Sequence, residues 1–417
     1  MYNPEIIEKR LFQAKKAGFK FQRLGRDRSI EVAGRLEKLR KDIRGQDLPY
    51  GQTSRPLNQE ENDFIESERL LCKADFMYYL SRYHAVERDA GVGAPEGLGP
   101  AVPLESQFKL VKEIGKREDE VHAEYAKYRH TEGIRVYAHK ARQVLFTSTI
   151  RAISLHRMLF WPGTRAFAGT VSPSSVGELY KRDQITITSL PFWLKPEVYP
   201  DVKDSEIGFD SPINSRLIYQ AENQKTGIGV GTQQDVSHLN EVPLWDMPQQ
   251  IGFFFTPAIP KSRMTIHIQE GTSCGKGNYW QEVTESCRRR DRGYENWTYV
   301  FVPWYYNQFK YRSIPTDNWE MEPHTKKHLD LIERTSPEWC DGNTYHPSRE
   351  QMYWWETERV VYARKGELAS FLASYPATPE QSFVNHAQGA LPVELIEEME
   401  MDIRRPHMYS VELLEAS

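Results

Sequence analysis

The spacing of apolar residues divides the middle of the chain into short extended runs and amphipathic stretches. An alternating or continuous apolar run predicts a strand, and a three-to-four-residue period predicts a helix. The predicted strands are 134–138, 166–170, 184–189, 214–220, 234–239, 250–255, 264–268 and 298–302, and the predicted helices among them are 148–160, 174–181 and 278–289. Strands separated by helices indicate an α/β fold, with a mainly parallel sheet flanked by helices on both faces.

Helical periods also lie on both sides of this region. Residues 1–60 are highly charged, with helical spacing near Ile6 and Leu11 and again over 30–43, before a Pro- and Gly-containing linker at 47–58. Further helices are predicted at 62–86, 104–128, 323–335, 347–365, 366–373 and 392–403, with a glycine-rich loop at 91–100. The first 60 residues are interpreted as a small helical subdomain or an arm that orders on a partner.

Composition narrows the class of protein. A chain of 417 residues has room for two or three domains, and its net charge of −4 means that any contact with nucleic acid needs a local basic surface. Four cysteines without a C-x-x-C pair favour free thiols in a reducing compartment. The charged N-terminus does not look like a signal peptide, and no apolar run reaches membrane-spanning length.

One stretch has the layout of a phosphate-binding loop. Residues 134–150 read I-R-V-Y-A-H-K-A-R-Q-V-L-F-T-S-T-I, which is a strand, a polar turn and a hydroxyl-rich helix start. In such a loop the free N–H groups of the helix face an anion, a Lys neutralises it and a hydroxyl reaches Mg²⁺. The usual G-x-x-x-x-G-K-S/T pattern is absent, because both glycines are missing and Lys140 precedes the turn. A solvated lysine at a strand end is the alternative interpretation.

Two further stretches place polar groups at strand ends. In D-V-S-H-L-N-E-V-P-L-W, Glu241 follows an apolar strand, where a carboxylate can activate water beside a Mg²⁺-bound nucleotide. The alternative is an ordinary strand-end Glu, and His238 is interpreted as a core histidine. The stretch I-H-I-Q-E-G-T-S-C-G-K-G-N-Y ends a strand with a carboxylate and hydroxyls that could sense a phosphate, although a structural turn explains it equally simply.

Taken in order, these segments resemble the ATPase half of the large terminase subunit of tailed bacteriophages. K-A-R-Q-V-L-F-T-S-T is similar to the family's K-A-R-Q-x-G-x-S/T-T, and H-L-N-E-V-P-L-W to its acidic motif. E-G-T-S-C-G-K-G-N-Y resembles its coupling motif, and P-W-Y-Y-N-Q-F-K-Y-R and Y-P-A-T-P-E-Q-S-F resemble two later segments. The resemblance runs from about Cys72 to Phe383. It implies a P-loop NTPase fold of the ASCE/RecA-like type with a small helical lid.

The resemblance also implies site residues and cofactors. ATP and Mg²⁺ are the expected cofactors, Glu241 is the expected catalytic carboxylate and Arg142 is expected to stabilise the transferring phosphoryl group. The other implied positions are Lys140, Ala141, Gln143, Thr147 and Ser148 for phosphates, Gln107 for adenine, Thr147 and Asn240 for Mg²⁺, and Thr272 and Ser273 for coupling. For Gln107 a plain helix-surface residue is the alternative.

The family's biology supplies the expected partners and domains. They are double-stranded DNA, the portal protein, the small terminase subunit and further copies in a homo-oligomeric ring on the procapsid, in the host cytoplasm and away from membranes. The expected domains are a helical arm at 1–60, a P-loop ATPase core at 61–310 and a helical lid or linker at 311–417. The nuclease domain would follow residue 400, so no nuclease activity is expected from this chain.

Three departures from the family's pattern and one basic cluster leave alternatives open. Leu145 stands where the family has Gly and is expected to crowd the loop, Asn240 cannot bring the negative charge of an Asp, and Val230 replaces an Arg. These departures motivate a second interpretation, a non-hydrolysing packaging or portal-docking scaffold with a degenerate nucleotide pocket. The cluster Arg288, Arg289 and Arg290 is a candidate DNA or subunit contact, or a solvated face neutralised by Asp291 and Glu285. A host helicase-like ATPase is disfavoured, because no helicase motif follows the acidic strand.

Overall fold

The computed structural model describes residues 26–49, 51–88, 97–199, 205–222, 227–229, 233–383, 399 and 401. The helical spacing predicted within residues 1–25 and the position Val230 lie outside these ranges. The predicted helix 392–403 also lies outside them, apart from Met399 and Met401.

Helices and a small two-stranded sheet precede the main sheet. They are α1 (Arg26–Leu39), α2 (Gln59–Ala74), α3 (Phe76–Tyr83), the antiparallel strands β1 (Ala85–Arg88) and β2 (Gly97–Pro100), and α4 (Glu105–Tyr128). The single helix predicted at 62–86 is therefore two helices followed by a strand. The break falls at Asp75, whose side chain caps α3 by accepting a hydrogen bond from the Tyr78 N–H.

Seven of the described strands form the central sheet. In chain order its elements are β3 (Ile134–Lys140), α5 (Phe146–Phe160), β4 (Arg165–Thr170), α6 (Pro173–Ser189), β5 (Glu206–Gly208), β6 (Arg216–Ala221), β7 (Val236–Leu239), β8 (Ile266–Gly271), α7 (Tyr279–Arg289) and β9 (Trp297–Val302). The strand order is β5-β6-β4-β7-β8-β3-β9, and among these described strands only the β5–β6 pair is antiparallel. The predicted α/β fold with a mainly parallel sheet and flanking helices is confirmed.

The topology brings three strand ends together. β8 pairs with β7 on one side and with β3 on the other, all parallel, so their carboxyl ends meet at the centre of one sheet edge. Helix α5 leaves this edge and is buried on almost every side. In open parallel sheets the carboxyl edge is where ligands bind.

Two predicted strands are wrong. Residues 184–189 are the last turns of α6, although I-T-I-T alternates like a strand. Helix α6 starts from a Ser172 cap, and Thr186 and Ile187 are buried by tertiary contacts, with the Thr186 hydroxyl bonded to the Ala85 carbonyl. Packing therefore overrides the β propensity of this stretch. Residues 251–255 form a π-helical turn, not a strand.

The last described helices pack on the sheet. They are α8 (Pro323–Trp339), α9 (Arg349–Arg364) and α10 (Leu368–Ser374). Trp304, Trp355 and Phe371 are buried in one apolar cluster that also contains Val32 of α1 and Val136 of β3. The domain boundaries at 60 and 310 stay predictions, since this cluster runs across both.

All four cysteines lie within the described residues and none is paired. Within the same residues, every helix is too short or too polar to cross a bilayer.

Candidate active site

The turn between β3 and α5 has a strained backbone. Gln143 and Leu145 adopt the left-handed conformation, with φ of 54° and 61°. This conformation costs a non-glycine residue roughly 1–2 kcal/mol. Leu145 therefore holds the conformation that a glycine would adopt, and the turn reaches the start of α5 without a glycine. The first N–H groups of α5 have no partner within the helix, so they are free to bind an anion.

Hydrogen bonds from other elements hold this turn in place. Five of them engage main-chain atoms of the turn and come from regions distant in sequence. The bonds are Ala141 N–H to Val302 O (2.9 Å), Arg142 N–H to Ser374 O (2.9 Å), Ser106 Oγ to Val144 O (2.9 Å), Lys310 Nζ to Gln143 O (2.8 Å) and the Tyr311 hydroxyl to Arg142 O. The side chains of Arg142 and Gln143 remain exposed.

Lys140 lies between two carboxylates. Its Nζ donates to Glu241 Oε1 at 2.8 Å and lies 3.6 Å from Glu270 Oε2. The Lys140 side chain is only 6 % exposed, so it is not a solvated strand-end lysine. Burial lowers the pKa of Lys140, but the two carboxylates outweigh burial and raise it to about 12. The ammonium is therefore charged at neutral pH.

Glu270 joins the hydroxyl at the start of α5 to the acidic strand. Its Oε1 accepts a hydrogen bond from Thr147 Oγ1 at 2.6 Å and lies 3.0 Å from His238 Nε2. Thr147 Oγ1 also lies 3.3 Å from Asn240 Oδ1. Burial raises the pKa of Glu270, but Lys140 and His238 outweigh burial and lower it to about 2, so Glu270 is ionised. His238 is buried, as expected of a core histidine, and burial lowers its pKa.

A tight turn presents Glu241 to this cluster. Glu241 is left-handed, with φ of 51°, and its Oε2 accepts a hydrogen bond from the Thr272 N–H at 3.3 Å. Gly271 makes the packing possible, because a Cβ there would lie 2.1 Å from Cδ of Pro243 in the turn after Glu241. Thr272 and Ser273 are buried beside Glu241, and neither hydroxyl has a hydrogen-bond partner among the described residues.

Gln107 is more deeply buried than either interpretation of the sequence predicted. It is 1 % exposed, so the interpretation as a helix-surface residue is wrong. Its Oε1 accepts from the Leu104 N–H at 3.0 Å, and its Nε2 donates to Thr149 Oγ1 at 2.7 Å. One end of the amide therefore caps α4, and the other joins α4 to α5. A contact between Gln107 and adenine requires at least one of these bonds to break.

The arginine cluster lies away from these residues. Arg288 and Arg289 end α7 and Arg290 follows it, ahead of the amino end of β9, whereas Lys140 and Glu241 lie at carboxyl ends. Arg288 pairs with Glu380 and Glu338, and Arg289 with Asp291 and Glu285, as the solvated-face interpretation expected for Arg289. The structure does not bring these arginines into the candidate site.

A cavity of about 240 Å³ adjoins the strained turn. It shares Leu145, Thr147 and Ser148 with the turn and the start of α5. Its other walls come from β1, α5 and α6 and the residue before β1, and they are His84, Ala85, Val86, Arg151, Arg182, Asp183 and Ile185.

Glu270 is the site residue that the sequence analysis did not assign. The carboxylate of E-G-T-S was noted at a strand end, but its partner was not. The missing information was the strand order, because β8 lies between β7 and β3 and so Glu270 reaches both of their ends.

The fold and the carboxyl edge of its sheet define a class of protein: an α/β fold with a mainly parallel sheet, in which a cation, two acids and a helix start meet at the carboxyl ends of the strands. No protein-family model and no curated protein matches the sequence.

Among solved structures, the fold is similar to that of several phage large terminases. The large terminase of bacteriophage HK97 is 12 % identical with a TM-score of 0.45, over 72 % of this chain and 53 % of the HK97 chain. A variant of the ATPase domain of the Thermus phage P74-26 large terminase is 12 % identical with a TM-score of 0.38, over 66 % and 98 %. The large terminase of another thermophilic bacteriophage, in complex with ADP, is 11 % identical with a TM-score of 0.32, over 45 % of each chain. The chain thus spans about half the length of the HK97 protein.

Proposed function

We propose that this chain is the ATPase motor of viral genome packaging, which hydrolyses ATP to move double-stranded DNA into a procapsid. The observation that carries the proposal is the convergence of Lys140, Glu241, Glu270 and Thr147 beside the N-terminus of α5. The sequence resemblance to large terminases, several motifs in one order, gives this chemistry its biological setting.

The geometry supports phosphate binding at the start of α5. The positive end of the helix dipole and the ammonium of Lys140 both favour an anion there. A bound phosphate would compete with Glu241 for Lys140, and the released carboxylate could then orient the attacking water. Arg142 is exposed at the crest of the turn and is proposed to stabilise the transferring phosphoryl group, in its own subunit or across a ring interface.

Mg²⁺ fits the oxygens beside this position. It prefers hard oxygen ligands, and the Thr147 hydroxyl and the Asn240 amide oxygen are the predicted donors, 3.3 Å apart. When bound, Mg²⁺ supplies positive charge that neutralises the phosphate oxygens during transfer. Ala141 and Gln143 belong to the turn that would cradle these phosphates, and Ser148 lies one residue further into the helix.

The cavity is proposed to hold the nucleoside. It opens beside Thr147 and Ser148, and Val86 and Ile185 give it apolar walls suited to a base. Filling it with Ile185→Trp should weaken ATP binding and leave binding of inorganic tripolyphosphate unchanged. Thr188→Trp, on an exposed position of the same helix, is the control. Equal loss of both ligands would contradict this placement.

Thr272 and Ser273 are proposed to couple the phosphate state to movement. Their hydroxyls have no partner among the described residues, and the Thr272 N–H is bonded to Glu241, through which a change at the phosphate can reach them. The proposed partners are double-stranded DNA, portal protein, small terminase subunit and neighbouring copies in a ring on the procapsid. Arg290, exposed after α7, is retained with Arg288 and Arg289 as a proposed DNA or subunit contact.

The decisive experiment is an ATP turnover assay with DNA and procapsids bearing portal. Wild type should hydrolyse ATP, and Lys140→Ala and Glu241→Gln should reduce turnover roughly 10²-fold or more. The second candidate, a non-hydrolysing scaffold, is favoured by the ion pair that already occupies Lys140 and by the neutral Asn240. A wild type that binds ATP and never turns it over supports the scaffold. Wild-type turnover in both variants would show the catalytic assignments to be wrong.

A further inference from the structure

Glu270 and Asn240 lie side by side at the tips of adjacent strands. The β7–β8 register pairs Leu239 with Gln269, and one further step of the same register places Asn240 beside Glu270. Side chains at paired positions of neighbouring strands point to the same face. Both side chains accordingly reach Thr147 Oγ1, at 2.6 Å from Glu270 Oε1 and 3.3 Å from Asn240 Oδ1.

The charge near Thr147 comes from Glu270. The Asn240 amide is neutral, and the carboxylate of Glu241 is engaged by Lys140 and the Thr272 N–H. Glu270 is fully buried, and its Oε2 accepts no hydrogen bond among the described residues. A divalent cation beside Thr147 therefore has one nearby carboxylate oxygen, Glu270 Oε2, whose described partner is the Lys140 ammonium at 3.6 Å. A bound phosphate that attracts Lys140 would leave this oxygen to the cation.

The hydrogen bond also sets the direction of the hydroxyl. Thr147 has one proton to donate, and a carboxylate acceptor at 2.6 Å holds it. The lone pairs of Thr147 are then left for a cation on the other side of the oxygen.

We propose that Glu270 is the positioning carboxylate for Mg²⁺–ATP in this chain, supplying from β8 the negative charge that Asn240 lacks on β7. This rests on the proposed ATPase function and adds a residue to it. Glu270 acts through Thr147 and through its charge beside the metal. A chain with Asp in place of Asn240 has no need of Glu270 for this purpose, so the two positions should compensate for each other.

The test measures ATP affinity by calorimetry in Mg²⁺ and in EDTA, for wild type, Glu270→Gln, Asn240→Asp and the double variant. In wild type, Mg²⁺ should tighten ATP binding. Glu270→Gln should lose about 10- to 100-fold of that gain, the size seen when outer-shell metal partners are removed, while its affinity in EDTA is unchanged. The double variant should regain most of the loss. Glu282→Gln, an exposed carboxylate on α7, is the matched control and should behave as wild type.

The possible results distinguish an error in the role of Glu270 from an error in the proposed ATPase function. If wild type shows the Mg²⁺ gain and Glu270→Gln keeps it, or the double variant does not regain it, the role of Glu270 is wrong and the ATPase function stands. If wild type binds no ATP in either buffer, the proposed function is wrong and this role with it. Should Glu270→Gln not fold, Glu270→Asp decides, because it keeps the carboxylate but draws it back from Thr147. This variant should lose part of the Mg²⁺ gain, and full retention of the gain contradicts the role.

Discussion

A buried cation faces a carboxylate near each end of helix α5. At the amino end Lys140 contacts Glu241, and at the carboxyl end Arg157 Nη2 donates to Glu118 Oε1 at 2.7 Å. Both cationic side chains are at most 6 % exposed. The dipole of α5 favours a cation at its carboxyl end and disfavours one at its amino end. The pair at Arg157 therefore agrees with the helix, whereas Lys140 sits where the helix favours an anion.

The backbone conformation also differs between the two ends of α5. Gln143, Leu145 and Glu241 are left-handed around the amino end, and Thr272 and Ser273 carry unpartnered hydroxyls. Arg157 sits in regular helix and lies over the ring of Trp161, at 4.5 Å. Buried charge alone thus does not mark a functional site, since both ends have it. Strained residues beside the charge do, because a fold keeps them only where surrounding structure enforces them.

The largest expected difference between the two ends is in turnover. Lys140→Met should reduce ATP turnover by roughly 10² to 10³, because it removes the cation beside the phosphate. Arg157→Met should leave kcat per folded molecule at the wild-type value. Steady-state assays corrected for the folded fraction measure both. Equal losses of kcat would remove the distinction drawn between the two ends.

The pair at the carboxyl end should show its effect in stability. Arg157→Met should lower the free energy of unfolding by about 3–5 kcal/mol, because Glu118 is left buried without its cation. The double variant Arg157→Met/Glu118→Leu should recover most of this loss, since an apolar pair replaces the ion pair. Denaturant unfolding gives the values. No recovery in the double variant would mean that Glu118 has another essential partner.

Acid should destabilise the folded chain equally through one buried histidine near each end of α5. Burial lowers the pKa of His139, next to Lys140, and of His156, next to Arg157, each to about 3. The unfolded chain binds these protons below about pH 6.5, and the folded chain does not. Their stabilisation is therefore complete above pH 6.5 and is lost toward pH 3. Each contributes a slope of about 1.4 kcal/mol per pH unit.

Denaturant unfolding at pH 7.5, 6.0 and 5.0 tests this. His139→Phe and His156→Phe should flatten the acid slope by the same amount, whatever they do to stability at pH 7.5. A slope that responds at one end only would show that the two burials differ.

The smallest effect concerns the strained turn. Leu145→Gly should be about 1 kcal/mol more stable than Leu145→Ala, because glycine adopts φ of 61° without the steric cost that alanine keeps. Thermal unfolding of the two variants measures the difference. If alanine equals glycine here, the turn relaxes and the strain is not enforced by its surroundings.

The sequence predicted the sheet well where apolar runs are long. Strands β3, β4, β7, β8 and β9 overlap the predicted runs, and the hydroxyl-rich start of α5 falls where the loop layout placed it. A strand was wrongly predicted at 184–189, where buried β-branched residues belong to helix α6, which begins at Pro173. Local spacing does not contain the tertiary contacts that decide such a segment.

The sequence likewise predicted some features of the candidate site and missed others. Lys140 and Glu241 were predicted to act together, and the structure joins them at 2.8 Å. Leu145 was expected to crowd the loop, and the structure shows it in the left-handed conformation that glycine adopts without strain. Glu270 and the burial of Gln107 depend on strand order and on the packing of α4 against α5, which no single stretch of sequence specifies.

The hydrogen bonds that hold the turn between β3 and α5 connect it mechanically to later parts of the chain. The Arg142 and Gln143 carbonyls are held by Tyr311 and Lys310, and the Arg142 N–H is tied to Ser374 at the end of α10. A displacement of the turn is therefore transmitted to Lys310, Tyr311 and Ser374, and a displacement of those residues is transmitted to the turn. On the side of the turn, all the bonded atoms belong to the main chain. Replacing the side chains of Arg142 or Gln143 therefore leaves this transmission intact. A variant with broken chemistry and preserved linkage can be made at these two positions.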